Sequence, residues 1–489
     1  MRLQSLFSQV AVYGLSSVAG RIFQFLLTPL YTYYFLPEDF GIISEFYAWA
    51  GFLAILLSFS LESFIFKQCS SLEEQGQKVF VVQAISFLSL INFVFLLLVA
   101  GASGFISQKM GYEEGQIWVI LFALILSIDG ISSVLQTQLR LEQKAMRFAS
   151  INLSMILCNV VLNILFLLVF KPFFFPAHSG VTYVFWANLL ASLLRLFLLL
   201  PQLRTFSFVL SLDWLRAMLP YCLPLVWVGL GGMVNELLDR LLLKYLLMPT
   251  LGEVEALRQL GIYSAVYKFS IIITLCVQAF RYATEPFYFK TAQDRASKQA
   301  RAKVLHLYLS FLIFVLLATT LFLPELKRFF LVQPAYWEGL HIVPMLLLAQ
   351  LLLGVYYQQS VWYRLSGKTW LGALLTSLGV FITVLANFLL IPKLGYEGAA
   401  YATLTCYGAL LLFSIVLEYI LQKNFAFSWH APLLFVIALL VYHLQKTFSV
   451  FAEHPGGLWI LRFASLGLWT LAFWALNEQY KKQYEHLHD

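Results

Sequence analysis

The chain has 489 residues, of which 61% are hydrophobic and only 12% charged, with a net charge of +7 at pH 7. A soluble globular domain carries about a quarter charged residues, so the composition excludes that class and describes an all-α polytopic membrane protein. The basic excess is spread over short loops rather than gathered in one patch, which excludes nucleic acid as its counterpart.

A helix needs about 20 apolar residues to cross a bilayer. Fourteen runs meet this, at 9–35, 41–66, 78–101, 115–138, 147–170, 181–203, 214–247, 258–283, 303–325, 336–360, 368–391, 396–420, 429–446 and 458–477. Span 1 is too long and too interrupted for a signal peptide and reads as a retained helix. If both termini share one side, that side collects eighteen Lys and Arg in its loops. The other side holds only Lys109, Lys171, Arg258, Lys327, Arg328, Lys393 and Lys446. The positive-inside rule then places both termini in the cytoplasm. Cys69, Cys158, Cys222, Cys276 and Cys406 show neither paired nor metal-ligand spacing, so no disulfide framework or metal site is expected.

Within span 1, Arg21 sits halfway along an otherwise uncharged stretch. A cation at that depth costs about 2.5 to 3.5 kcal/mol on insertion scales and faces a bundle interior or a watery hollow. Ser17, Arg21, Gln24, Thr28 and Tyr31 recur at spacings of 4, 3, 4 and 3, one face of a helix. In span 2, Glu45 lies toward the outer end and Glu62 toward the cytoplasmic end. Asp129 in span 4 falls near mid-depth with no evident counter-ion. Arg195 and His306 lie close enough to span ends to snorkel.

Span 7 carries Asn235, Glu236, Asp239, Arg240 and Lys244. Acids at membrane depth are typical proton or ion relays, so Glu236 and Asp239, with Glu62, are candidate coupling groups. A self-contained Glu236–Arg240 bridge at i,i+4 spacing is the competing reading. Gly229 to Gly232 lie inside this span, where small residues allow bending or close packing.

Span 8 has a polar face at Tyr267, Ser270, Thr274, Gln278, Arg281 and Glu285, and a second deep cation, Lys268, one position beside it. Arg281 and Glu285 either pair with each other or mark a point of substrate access. Polar stripes of this kind also serve simply to join helices. Trp227, Tyr31 and Tyr267 are candidates to stack on sugar rings. The longest polar connection, Lys290 to Lys303, reads as a basic tether, and no P-loop or long catalytic loop is present.

The chain repeats itself. Gly41-Ile42-Ile43-Ser44 and Tyr47 return as Gly261-Ile262-Tyr263-Ser264 and Tyr267, an offset of 220. Arg140, Lys144 and Asn163 return as Arg364, Lys368 and Asn387, an offset of 224. Gly180 and Tyr183 return as Gly398 and Tyr401. The repeat predicts an N-terminal lobe at 1–210, a second six-span lobe at 211–425, and two appended spans with a tail at 426–489. An even number of spans per lobe makes the repeats parallel, as in some transporters.

With its fourteen spans, the passage from Arg21 through Pro29-Leu30-Tyr31 to Leu36-Pro37-Glu38-Asp39-Phe40-Gly41, and the stretch Leu260 to Lys268 continuing through Gln278 to Phe287, the chain resembles the polysaccharide-transporter branch of the multidrug/oligosaccharidyl-lipid/polysaccharide exporter superfamily. The resemblance implies a flippase of the bacterial inner membrane, moving an undecaprenyl-diphosphate-linked oligosaccharide from the cytoplasmic to the periplasmic leaflet. It implies alternating access, H+ or Na+ antiport, and neighbours among polysaccharide assembly proteins. Arg21, Lys268, Gln24, Thr274, Gln278 and Arg281 are then the expected substrate contacts, with the two deep cations offsetting the desolvation of the diphosphate. A multidrug or lipid II exporter of the same fold, or a membrane polysaccharide polymerase or ligase, is the alternative.

Overall fold

The computed structural model describes residues 18–23, 25–69, 72–112, 115–170, 180–203, 207–290, 297–422, 430–449 and 455–485. Residues 18–23 and 25–26 are helical. Then follow α1 (Thr28–Tyr34), α2 (Pro37–Ser58), α3 (Leu61–Cys69), α4 (Glu74–Gly101), α5 (Ser103–Lys109), α6 (Gln116–Leu141), α7 (Ala145–Leu165), α8 (Gly180–Leu199), α9 (Leu212–Leu251) and α10 (Glu253–Tyr267). The rest comprises α11 (Ile271–Lys290), α12 (Ser297–Leu321), α13 (Leu323–Phe330), α14 (Val343–Gln359), α15 (Val361–Leu365), α16 (Trp370–Leu394), α17 (Tyr396–Gln422), α18 (His430–Ser449) and α19 (Pro455–Glu485). No strand occurs among the described residues.

Among these residues, twelve helical stretches are long and apolar enough to cross a membrane, and they coincide with twelve of the fourteen expected runs. The run 9–35 lies partly outside the described residues, and the run 429–446 is the helix α18, which is not one of the twelve. The protein is a multi-pass, all-helical membrane protein.

Contacts group the chain into two units. The first comprises 1–265 with 383–399, and the second 266–382 with 400–489. In the first, α2 begins with Pro37 at its first helical position and with Glu38 and Asp39 in its first turn, where proline fits the helical φ and acids meet the positive end of the helix dipole. The helix stops where Phe59 and Ser60 adopt positive φ of 53° and 51°, and α3 completes the same span. Buried Asn92 of α4 donates to Leu57 O at 3.2 Å beside this break. An apolar cluster of Leu61, Phe64, Leu88, Leu135, Trp214 and Met218 packs α3, α4, α6 and the start of α9 together. At forty residues α9 is about 60 Å long at 1.5 Å per residue. It is capped by Ser211, whose hydroxyl accepts from Trp214 N at 3.2 Å, and it contains Pro220, Pro224 and Pro249.

In the second unit a cluster of Ala349, Tyr356, Trp362, Leu371, Cys406 and Tyr407 joins α14 to α17. The final helix α19 is held by Trp469 against Phe314, with ring centroids 5.6 Å apart, and by an ion pair between buried Arg462 and Glu325.

The internal repeat has counterparts in local geometry. Gln143 and Gly367, 224 residues apart, both have positive φ, of 56° and 71°. Around them Lys144 N donates to Leu139 O and Lys368 N to Tyr363 O, each at 2.9 Å, the hydrogen-bond pattern that ends a helix with a left-handed residue. Twenty residues on, buried Asn163 and Asn387 each donate to the carbonyl four residues back, Asn159 O at 2.8 Å and Thr383 O at 2.7 Å.

Candidate functional site

Lys268 occupies a single 3₁₀ turn, Lys268–Ser270, that interrupts the span formed by α10 and α11. Such a turn inside a helical span often marks a functional hinge. Lys268 is half-buried while Tyr267, Phe269 and Ser270 beside it are buried. On the face the sequence singled out, Thr274 Oγ1 donates to Ser270 O and to Gln350 Oε1, each at 3.2 Å, and Gln350 Nε2 donates to Tyr267 OH at 2.7 Å. Tyr267 and Thr274 thus join α14 through Gln350. Gln278, one turn on, is half-buried. Arg281 is exposed with its guanidinium over the Tyr357 ring, 5.4 Å from the centroid. The Glu285 side chain lies outside the described residues.

In the first unit Arg21 is helical and exposed, and Gln24 and Ser17 lie outside the described residues. Thr28 and Tyr31 of the same predicted face are buried. Tyr31 donates to Asn163 Oδ1 at 3.0 Å. This begins a ladder of side chains from four spans: Asn163 Nδ2 donates to Asn159 Oδ1 at 3.2 Å, Asn159 Nδ2 to Asn188 Oδ1 at 2.8 Å, and Asn188 Nδ2 to Tyr47 OH at 2.6 Å. Buried Tyr31 and Tyr267 do not offer open ring faces, which corrects the expectation that they stack on sugars, whereas Trp227 is 74% exposed.

Of the candidate coupling acids, Asp239 is buried. It accepts from the Tyr263 hydroxyl and from Arg240 N at 2.8 Å. Next to it Thr383 Oγ1 donates to Asn235 Oδ1 at 3.1 Å, so Asn235, Asp239, Tyr263 and Thr383 form one polar neighbourhood of α9, α10 and α16. Glu236 is exposed, and the competing reading of a Glu236–Arg240 side-chain bridge finds no support among the described residues. Arg240 instead reaches the main-chain carbonyl of Glu236 at 2.8 Å and the Asp239 carboxylate at 3.9 Å. Glu62 is ion-paired with Arg140.

Three further clusters escaped the sequence reading. Lys244 and Glu45, both fully buried, form an ion pair with Nζ to Oε2 at 2.7 Å. Lys244 also donates to Met110 O at 2.5 Å and Tyr112 OH at 3.1 Å, and Glu45 accepts from Tyr112 and from Tyr245, the latter at 2.8 Å. Burial first, and the Glu45 carboxylate second, push the Tyr112 phenol well above its ordinary value, so it stays a protonated donor. The only partial signal in the sequence is that Lys244 has no acid at i−4, only Arg240.

Asp129 is paired with Arg195, which corrects the snorkelling assigned to that residue. A carboxylate on α6 outcompetes distant water. His306 likewise is 1% exposed, its ring 6.3 Å from that of Phe473, so packing by α19 replaces snorkelling.

The helical fold is that of membrane transporters of known structure. It resembles the structure "Lipid II flippase MurJ, inward closed conformation" with TM-score 0.73 and 14% identity, over 96% of this chain and 98% of that one. It also resembles an inward-facing multidrug resistance MATE family transporter of the MOP superfamily, with TM-score 0.62 and 16% identity, over 85% and 96% of the two chains. A MOP superfamily transporter from Pyrococcus furiosus, described as having a reversed binding-pocket polarity, gives TM-score 0.54 and 15% identity over 85% and 94%. No curated protein matches the chain. Residues 6–291 match the family described as "Polysaccharide biosynthesis protein", and the chain belongs to that family.

Proposed function

We propose that this protein is a flippase rather than an enzyme. It carries a lipid-diphosphate-linked oligosaccharide from the cytoplasmic to the periplasmic leaflet of a bacterial inner membrane, with both termini cytoplasmic. Family membership together with a full-length likeness to a lipid II flippase is the observation that carries this reading. A diphosphate headgroup cannot enter hydrocarbon unaided. Arg21 and Lys268, cations in two different apolar spans, supply the charge to receive it, and Gln24, Thr274, Gln278 and Arg281 supply neutral and peripheral contacts. The lobes 1–210 and 211–425 rock about the substrate, and the pair of spans at 426–489 is appended to them.

Asp239 is the favoured coupling residue among the three acids. It is buried beside Asn235 and Thr383, whereas Glu62 and Glu236 are both exposed. H+ or Na+ is the coupling ion in this reading.

The test is translocation of a fluorescent undecaprenyl-diphosphate oligosaccharide in proteoliposomes, with lipid II and a cationic drug in parallel. The expected result is movement of the oligosaccharide lipid by the native chain and its loss in Arg21→Ala at equal protein level. Movement of lipid II or the drug alone would replace this reading with one of the other exporters.

A further inference from the structure

We infer that Gly41, Glu45, Lys244 and Gly261 form a releasable latch that shuts the outer end of the translocation path. The inference rests on the proposed function for the existence of a translocation path and for which end is outer.

Gly41 and Gly261 are the repeat-related residues at an offset of 220, and they meet at a reciprocal crossing of α2 and α10. A Cβ on Gly41 would lie 2.2 Å from Leu257 O, and one on Gly261 would lie 1.7 Å from Pro37 O. No side chain fits at either point, so the two helices touch backbone to backbone. One turn along α2, Glu45 takes the Lys244 ammonium. An ammonium has three protons, and here Glu45, Met110 O and Tyr112 OH accept all three. The connection 110–112 thereby closes over α2 and α9. Around it Ile43, Phe46, Leu243, Leu247, Leu260 and Ile262 are all buried, so the contact is dry.

A dry ion pair is a poor choice for permanent stability, because apolar residues of similar volume hold as well or better. It is a good choice for a contact that must open. Parting an apolar seal exposes hydrocarbon to water, while parting Glu45 from Lys244 returns two charges to solvent that hydrates both. The helix that carries Lys244 can also bend. Pro220, Pro224, Gly229 and Gly232 lie between the buried anchor at Trp214 and Met218 and the buried anchor at Lys244.

The experiment is hydrogen–deuterium exchange of the full chain in nanodiscs, which needs no substrate. Glu45→Gln and Lys244→Met, which strand one partner, are each expected to speed exchange about tenfold or more in segments 37–48, 108–112 and 240–262. The Leu61–Phe64–Trp214 cluster should keep its protection. Gly261→Ala should give the same pattern through steric contact alone. The double variant Glu45→Met/Lys244→Leu, which removes both charges but leaves Met110 O and the Tyr112 and Tyr245 hydroxyls without these partners, should lose less protection than either single variant. Unchanged protection in both single variants, or a loss spread equally to the Trp214 cluster, would overturn the latch. So would a double variant as exposed as the single ones. A failed latch leaves the proteoliposome result standing, and failed translocation leaves the exchange result standing.

Discussion

Asp129 on α6 and Arg195 on α8 are ion-paired, with side chains 35% and 14% exposed. The partner that Asp129 lacked in the linear sequence comes from 66 residues away and from a residue whose position suggested a snorkelling end. Removing one member leaves the other under-solvated. Hydrogen bonds to charged groups contribute about 1.5 to 3 kcal/mol. Asp129→Ala and Arg195→Ala should each lose that much stability, and the double variant should lose much less than their sum. Thermal inactivation of the detergent-solubilised protein, run as a double-mutant cycle, checks it. Additive losses would show that the two charges act separately.

The helix-ending residue Gln143 gives a stabilising prediction. Its φ of 56° is one that side chains bearing a Cβ adopt at a cost of about 1 to 2 kcal/mol, and the repeat places Gly367 at the equivalent point. Gln143→Gly should raise stability by about 1 kcal/mol, and Gly367→Gln should lower it by a similar amount. Denaturant or thermal scans of the two single variants, compared with opposite signs expected, are the measurement.

Asn163 and Asn387 occupy equivalent places but do unequal work. Both hold a carbonyl one turn back, and Asn163 alone also receives the Tyr31 hydroxyl and reaches Asn159. Intramembrane side-chain hydrogen bonds contribute about 0.6 to 1.7 kcal/mol, and an orphaned buried hydroxyl costs about 1 to 3 kcal/mol. Asn163→Leu should therefore destabilise clearly more than Asn387→Leu, and Tyr31→Phe should recover part of the difference. Equal losses from the two leucine variants would mean that the ladder from Tyr31 to Tyr47 contributes nothing.

Much of the fold was legible because lipid demands long apolar helices and the chain supplies them: the twelve stretches long and apolar enough to cross a membrane all follow runs readable by eye. The repeat was legible too, since Gly41 and Gly261 are the same residue required by the same close approach. Charge pairing was not. Hydropathy and i,i+4 spacing see one helix at a time, so they offered Glu236 as the competing partner for Arg240 and could not bring Lys244 to Glu45 across 199 residues. In span 8, Tyr267 and Thr274 of the predicted polar face meet the same neighbour. That neighbour, Gln350 on α14, was not legible, because nothing in the spacing of either helix records which helix it adjoins.

Lys268 separates a substrate contact from a structural cation. It is half-buried in the 3₁₀ turn Lys268–Ser270 of a span whose other residues there are buried. A charge-assisted bond from its ammonium to a diphosphate oxygen is worth about 1.5 to 3 kcal/mol, which corresponds to about tenfold to hundredfold in rate where the bond is made on the way across. Lys268→Met should slow flipping of the diphosphate-linked oligosaccharide by that factor. Lys268→Arg should retain most of it, because a guanidinium also binds phosphate. Flipping of a labelled lipid with a neutral headgroup, if the native chain moves one, should be unaffected by either change. Equal slowing of the charged and neutral lipids would assign Lys268 to holding the turn and not to the headgroup.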